Sequence, residues 1–337
     1  MADHTEVTAS VSPPAARWRA RLSRLLPLVI GAGLLTLILS RIDLAALARV
    51  LGQSRWQWYA VSLGLLVVNL GLVSRRWQFD LGLLQLRYPF LEIFLIDHAG
   101  ALAGAATPGR LGDLARLVYF RQEKPVLVRV GLSIIIERLF DLTVLLGLSL
   151  AFLLSFPLPA AWRQVFALLI LGLLGGAGMV LALIWRGSDN PWLLAKIQEL
   201  FPEALRPRLA HGSQEVRQTL QCYLTWRLLW PLTLTLLAWG VGIVSAYCCA
   251  KALTLPLTLV QAGACFCLST LFTLIPISVA GLGTRELAMV YLFRHLGLPA
   301  EQALAFSFLI LGYLLAHSAL GFVALLLKPP PASRNKG

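Results

Sequence analysis

The chain has 337 residues, 58% of them hydrophobic and 13% charged, with a formal net charge of +13. Soluble domains carry about 25% charged residues. Two soluble domains of ordinary composition are therefore excluded, and a mean hydropathy of +0.76 points to an all-α polytopic membrane protein. The basic residues fall in loops between apolar spans, where they set orientation and favour anionic lipid surfaces, so no nucleic-acid partner is expected. Cys222, Cys248, Cys249, Cys265 and Cys267 lack C-x-x-C spacing and mostly lie in apolar runs. They read as small core residues, with no metal site, cofactor or disulfide framework implied.

Residues 1–24 read as a disordered, basic N-terminus ending in Arg17, Arg19, Arg21 and Arg24. The apolar run 25–39 follows without a small-residue cleavage site, so it reads as an uncleaved first helix whose N-terminus is cytoplasmic. A second span covers about 56–74, with Trp56, Trp58 and Tyr59 at its interface end and Arg75, Arg76 and Arg87 marking a cytoplasmic loop. Residues 90–120 hold a broken segment, Thr107-Pro108-Gly109-Arg110-Leu111-Gly112-Asp113, inside an otherwise apolar stretch. Spans follow at about 130–156 and 163–185, joined by the charge-poor turn 157–161. The polar stretch 186–227 carries Trp192, Leu193, Ile197, Leu200, Phe201 and Leu205 at helical spacing, the pattern of an amphipathic surface helix. A span at about 228–250 leads to a second broken segment, 257–296, then a last span at 301–327 and a cytoplasmic tail, 328–337.

Helix breakers and charges at membrane depth are tolerated where protein or a water-filled cavity covers them. Both broken segments therefore read as re-entrant hairpins, giving about six full spans plus two hairpins (or eight spans); two short full spans in place of the first hairpin would give the same sidedness afterwards. Pro108, Gly109 and Gly112 break the first segment, and Pro276, Gly281 and Gly283 the second, about half a chain length later. The pattern implies one membrane domain, 25–327, made of inverted repeats over about 25–157 and 158–327.

Glu137 and Asp141 share a helix face, and Arg138 reaches Asp141 from one turn away. They fit either a structural ion pair or a functional site. Arg110, Asp113 and Arg116 follow the first break, where Thr107 suits an N-cap and Pro108 a first helical position; Thr284 suits the same cap before Arg285 and Glu286. A helix N-terminus flanked by arginine offers N–H groups and a planar fork to a phosphate. An ordinary capped helix with internal ion pairs fits the same residues. Asp97 and His98 in one apolar run, and His317 in another, suit a proton relay or hydrogen-bonded packing. No nucleotide-binding loop, nucleophile elbow or zinc-protease motif occurs, so the chain does not read as an enzyme.

The run Pro108-Gly109-Arg110-Leu111-Gly112-Asp113 with Glu137-Arg138-Leu139-Phe140-Asp141 resembles the signature of the lysylphosphatidylglycerol synthetase transmembrane region, also called the flippase-like domain family. Gly281-Leu282-Gly283-Thr284-Arg285-Glu286 is similar to its later motif, although Val279-Ala280 stands where the family carries Pro-Gly. The resemblance implies a lipid-translocating domain of a bacterial-type inner membrane, acting on an aminoacylated phospholipid, a hopanoid or a polyprenyl-linked lipid. With such a lipid as substrate, the residues expected at its binding site are Arg110, Asp113, Arg116, Glu137, Arg138, Asp141, Arg285 and Glu286, with Arg110 and Arg285 on the phosphate and Glu137, Arg138 and Asp141 bracing the hairpin or coupling a proton. Because the chain stops at Gly337, no soluble synthase activity is expected. A membrane subunit that docks a lipid-modifying enzyme or glycosyltransferase through 186–227 is the competing expectation.

The charge pattern predicts that both termini are cytoplasmic and that the hairpins open to opposite faces. In a cysteine-free background, Gln122→Cys and Lys196→Cys should react with an impermeant thiol reagent only from the cytoplasm, and Pro159→Cys and Thr254→Cys only from outside. Labelling of positions 122 and 254 from the same side would remove the inverted arrangement.

Overall fold

The computed structural model describes residues 36–37, 39–40, 43–105, 108–120, 124–157, 159–187, 227, 229–274 and 281–331. The disordered N-terminus expected for 1–24, most of the first span, Pro276, nearly all of the expected amphipathic segment, and residues 332–337 of the tail lie outside them. The described residues form nine α-helices: α1 (Leu44–Gly52), α2 (Trp56–Leu83), α3 (Phe90–Ala105), α4 (Lys124–Ser155), α5 (Ala160–Gly187), α6 (Leu229–Ala252), α7 (Leu259–Thr273), α8 (Thr284–His295) and α9 (Ala300–Leu327). A 3-10 segment, Pro108–Phe120, separates α3 from α4, and no strand occurs among the described residues. Among them α2, α6 and α9 are long and apolar enough to cross a membrane. The helices bury one side and expose the other as apolar surface. On α5 the exposed side includes Val165, Leu168, Leu169, Leu171, Leu173 and Met179. Water does not tolerate apolar faces of that extent, and lipid does, so the molecule is a multi-pass membrane protein.

Two helix boundaries differ from the sequence reading. The second span, expected to end near residue 74, continues as helix to Leu83 and buries Arg76, Trp77, Asp80, Leu81 and Leu83. The apolar run does stop near Ser74, but the helix persists because its next turns meet protein instead of water. Residues 41–55, between the first two expected spans, contain a helix that the apolar runs did not mark, α1. Asp43 caps it, accepting hydrogen bonds from the amides of Ala45 and Ala46 at 2.8 and 3.0 Å.

The most extensive helix pairing is α2 against α6. Small and polar side chains carry it: Ser62 meets Ser245 at 2.7 Å, and the Asn69 amide donates to the Ala238 carbonyl at 2.7 Å. Such contacts hold helices together where lipid removes the hydrophobic drive. The larger apolar core lies among α4, α6, α7, α8 and α9, around Leu146, Leu153, Cys265, Met289, Phe293 and Phe306. A smaller one, with Trp77, Ile93, Ile96, Phe120, Val130 and Ile134, fastens α3 and the 3-10 segment to α2 and α4.

Both broken segments are pairs of short helices packed side by side, α3 with the 3-10 segment and α7 with α8. At ~1.5 Å rise per residue, the 16 residues of α3 and 15 of α7 cover about 24 and 22 Å, short of a hydrocarbon core of ~30 Å. In the second pair Gly281 has φ 74° and Gly283 φ 81°. A Cβ added at Gly281 would meet the Thr273 side chain at 2.4 Å. The residue must be glycine on both counts.

Gly281→Ala should therefore destabilise the protein by about 1–3 kcal/mol, combining left-handed strain with overpacking. The measurement is a lower melting midpoint in detergent. Gly172→Ala, on α5 with open space around it, is the control and should not lower the midpoint.

Candidate functional site

Polar groups that cannot face lipid collect between α2, α3, the 3-10 segment and α4. The centre is Glu137 on α4, wholly buried. Its Oε1 accepts from Arg76 Nη2 at 2.8 Å and its Oε2 from Arg116 Nη1 at 2.9 Å, so one carboxylate ties α2 to the 3-10 segment. Arg76, 1% exposed, also donates from Nη1 to Asp141 Oδ1 at 2.6 Å and to the Thr235 hydroxyl of α6 at 2.8 Å. Arg116, equally buried, sends Nη2 to Asp97 Oδ1 on α3 at 3.0 Å and lies 4.8 Å from the centre of the Trp77 ring. Desolvated guanidiniums are affordable in such a place only because each meets several oxygens and an aromatic face.

The 3-10 winding contributes directly. In a 3-10 helix residues three apart eclipse, so Asp113 stacks over Arg116, with 4.0 Å between Oδ1 and Nη2. Gly100 on α3 makes the approach possible, because a Cβ there would fall 2.3 Å from Arg116 Cγ. Arg138 closes the edge of the cluster: Nε lies 3.0 Å from Asp113 Oδ2, and Nη1 lies 3.4 Å from Asp141 Oδ2. The Arg138–Asp113 pair is an ion pair without hydrogen-bond alignment. Arg138 and Asp141 are the open members, with side chains 34% and 25% exposed.

A polar chain extends from this cluster into α9. Ser74 on α2 donates to Asp97 Oδ2 at 2.8 Å and faces His98 Nε2 at 3.2 Å. His98 Nδ1 in turn meets His317 Nε2 at 3.2 Å.

The second segment makes a separate cluster. Arg285 donates from Nη2 to Glu286 Oε1 at 2.6 Å and from Nε to the Ser307 hydroxyl at 3.0 Å, and Ser307 donates to the same Oε1 at 2.8 Å. The other oxygen, Oε2, accepts the Gly283 amide at 2.6 Å. The cap of α8 is thus Gly283, not Thr284 as the sequence suggested, and Thr284 instead donates to the Gly281 carbonyl at 3.2 Å. The expected open anion site at this helix start already holds an anion, the helix's own Glu286.

The structure brings together Asp113, Arg116, Glu137, Arg138 and Asp141 from the sequence-derived set. It puts Arg285 and Glu286 in the second cluster, and no ion pair joins the two clusters among the described residues. The side chain of Arg110 lies outside the described residues, and Pro108, Gly109 and Gly112 are described as backbone of the 3-10 segment. Sequence reasoning missed Arg76, Thr235 and Ser307. Arg76 had one usable signal: Asp80 stands one helical turn on, with Trp77 between, which is helix continuation and not loop. Among the described residues no His, Cys, Asp and Glu group gathers as a metal site.

The chain matches the family model described as lysylphosphatidylglycerol synthase TM region over residues 24–321. It is also similar to the UPF0104 membrane protein MJ1595 of Methanocaldococcus jannaschii, 20% identical over 337 aligned positions that cover 92% of this chain and 96% of that one. No solved structure matches it.

Arg76→Ala should destabilise the protein by about 3–5 kcal/mol, because it leaves Glu137 and Asp141 short of a buried counter-charge. Its sequence neighbour Arg75 is exposed, so Arg75→Ala should stay within about 0.5 kcal/mol of wild type. Thermal melting of the two purified variants tests the pair; equal midpoints would mean that the buried network carries no stability.

Proposed function

The chain belongs to the lysylphosphatidylglycerol synthase transmembrane-region family, and from that premise we propose that it moves a lipid across or out of a bacterial-type inner membrane. The observation that carries the reading is the ion-pair cluster at the first broken segment: three arginines and their carboxylates gathered between four elements, dry at Glu137 and open at Arg138 and Asp141. Membrane proteins retain such desolvated charge chiefly where it serves a pathway. An anionic or modified lipid headgroup meets the cluster at its open edge. Arg138 offers the phosphate a fork once it exchanges a carboxylate for the ligand. Arg116, Glu137 and Arg76 brace the hairpin behind that edge.

In this reading the two broken segments are re-entrant hairpins of an inverted repeat with both termini cytoplasmic, and the headgroup passes between them. Arg285, Glu286 and the left-handed glycines hold the second hairpin in shape. The role of Arg110 follows from its position after the first break, as a phosphate contact. The chain carries no catalysis of its own. The competing reading, a non-transporting subunit that docks a lipid-modifying enzyme or glycosyltransferase, rests on the long polar stretch 186–227.

Reconstituted into liposomes, the protein should accelerate dithionite-accessible exchange of fluorescently labelled phospholipid, with aminoacylated, hopanoid and polyprenyl-linked probes run beside it. Arg138→Gln should slow that exchange about tenfold, corresponding to about 1.4 kcal/mol of lost stabilisation. Rates equal to empty liposomes for every probe would overturn the transport reading. Deletion of 188–226 separates the alternative: loss of partner pull-down with exchange intact assigns docking to that stretch and transport to the helices.

A further inference from the structure

The polar chain from His317 to Asp97 has no role in holding a phosphate. We propose that His98 and His317 form a proton-binding pair that couples lipid movement to a proton gradient, an inference that rests on the transport reading above.

The hydrogen-bond directions fix how such a pair works. Ser74 donates to Asp97, so its lone pair faces His98 Nε2, which must carry the proton. His98 Nδ1 is then the acceptor, and His317 Nε2–H the donor across 3.2 Å. A proton arriving at His317 Nδ1 lets the Nε2 proton cross to His98 Nδ1, and His98 becomes the imidazolium. Its Nε2 proton then passes to Ser74 Oγ as the serine proton passes to Asp97 Oδ2. The chain ends with a neutral Asp97 carboxyl, a neutral His98 protonated on Nδ1, and His317 protonated on Nδ1; one proton has entered and one has reached Asp97. Two imidazoliums cannot share this hydrogen bond, so the pair holds one extra proton at a time.

The surroundings give that proton a reason to travel inward. The charged and titratable groups facing His98 are Asp97 on its own helix, Arg116 from the 3-10 segment, Glu137 from α4 and His317 from α9; α2 adds the Ser74 hydroxyl and the Leu70 carbonyl. Among the described side chains the cluster sets three guanidiniums, Arg76, Arg116 and Arg138, against five carboxylates, Asp80, Asp97, Asp113, Glu137 and Asp141. The excess of negative charge is lessened by a proton on Asp97. His98 is buried while His317 is half-buried, so the outer ring of the pair is the one on α9. Gly321 keeps the rings within reach, because a Cβ there would fall 2.5 Å from the His98 carbonyl and push α9 away.

The consequence for movement is local. A neutral Asp97 no longer holds Arg116 Nη2 by charge, so the bond between α3 and the 3-10 segment weakens while Arg116 keeps Glu137. The first hairpin thereby loosens at the joint between its two arms.

The test uses full-length protein in liposomes containing fluorescent phosphatidylglycerol, with an imposed pH difference and a trapped pH dye. Wild type should move lipid about fivefold faster or more under the gradient, the lower end of ordinary coupling, and carry protons with it. His317→Gln and His317→Asn, at a half-buried position, should lose the gradient response and the proton flux. Wild type that moves lipid indifferently to pH, or variants that respond as wild type does, would overturn the coupling while leaving transport standing. Nitrogen-15 spectra of histidine-labelled protein in bilayers test the pair without any transport. His98 should titrate jointly with a second ring in wild type and alone in His317→Gln; an unchanged His98 titration overturns the pair. Absence of lipid movement for any probe would instead overturn the transport reading, and with it the coupling.

Discussion

One carboxylate shared by two guanidiniums governs the first half of the molecule. Glu137 offers Oε1 to Arg76 and Oε2 to Arg116, so α2 and the 3-10 segment are both referred to a single point on α4. A buried carboxylate without counter-charge costs several kcal/mol, and neighbouring features provide for this arrangement. The helix of α2 outlasts its apolar run, Trp77 lies beneath Arg116, and Gly100 leaves room for the arginine stem to cross α3.

The two broken segments solve the same problem by opposite means. The first draws partners from four elements, so its conformation is felt by α2, α4 and, through Ser74 and the histidines, α9. The second is nearly self-contained: Glu286 pairs with its sequence neighbour, caps its own helix and reaches one serine on α9. A change of charge at the first spreads; a change at the second stays within α7, α8 and α9. On the proposed transport reading, motions that answer to protonation or to a headgroup belong to the first segment.

The sequence was legible chiefly where one helix sufficed to make the argument. Apolar runs located α4, α5, α6 and α9 closely, and Pro and Gly marked both breaks. Glu137, Arg138 and Asp141 declared themselves by their spacing on one helix. The parts that stayed hidden need two helices at once. Arg76 looked like a loop charge because nothing local says that Glu137, far along the chain, waits for it. Arg285 looked free for a phosphate because Ser307 lies on another helix, and the cap on Gly283 comes from a glutamate that sequence alone could also assign to the substrate. Asp97, His98 and His317 were visible singly as polar residues in apolar runs, but the line joining them exists only once α9 lies along α3.

Arg76 also constrains the order in which the chain is assembled. Synthesis delivers α2 to the membrane well before α4, so Arg76 arrives ahead of Glu137 and Asp141. Asp80 stands one turn away on the same helix and close enough to act on the guanidinium, which lets α2 enter with its charge partly compensated from within. Near the end of its helix, beyond the apolar turns, Arg76 can wait at the headgroup level, where a snorkelling guanidinium is tolerated. Arrival of α4 then exchanges water and lipid phosphate for Glu137. The order of the chain therefore has α4 supply Glu137 and Asp141 first, and α6, the main packing partner of α2, arrives afterwards to add the Thr235 hydroxyl to a guanidinium whose counter-charges are already made.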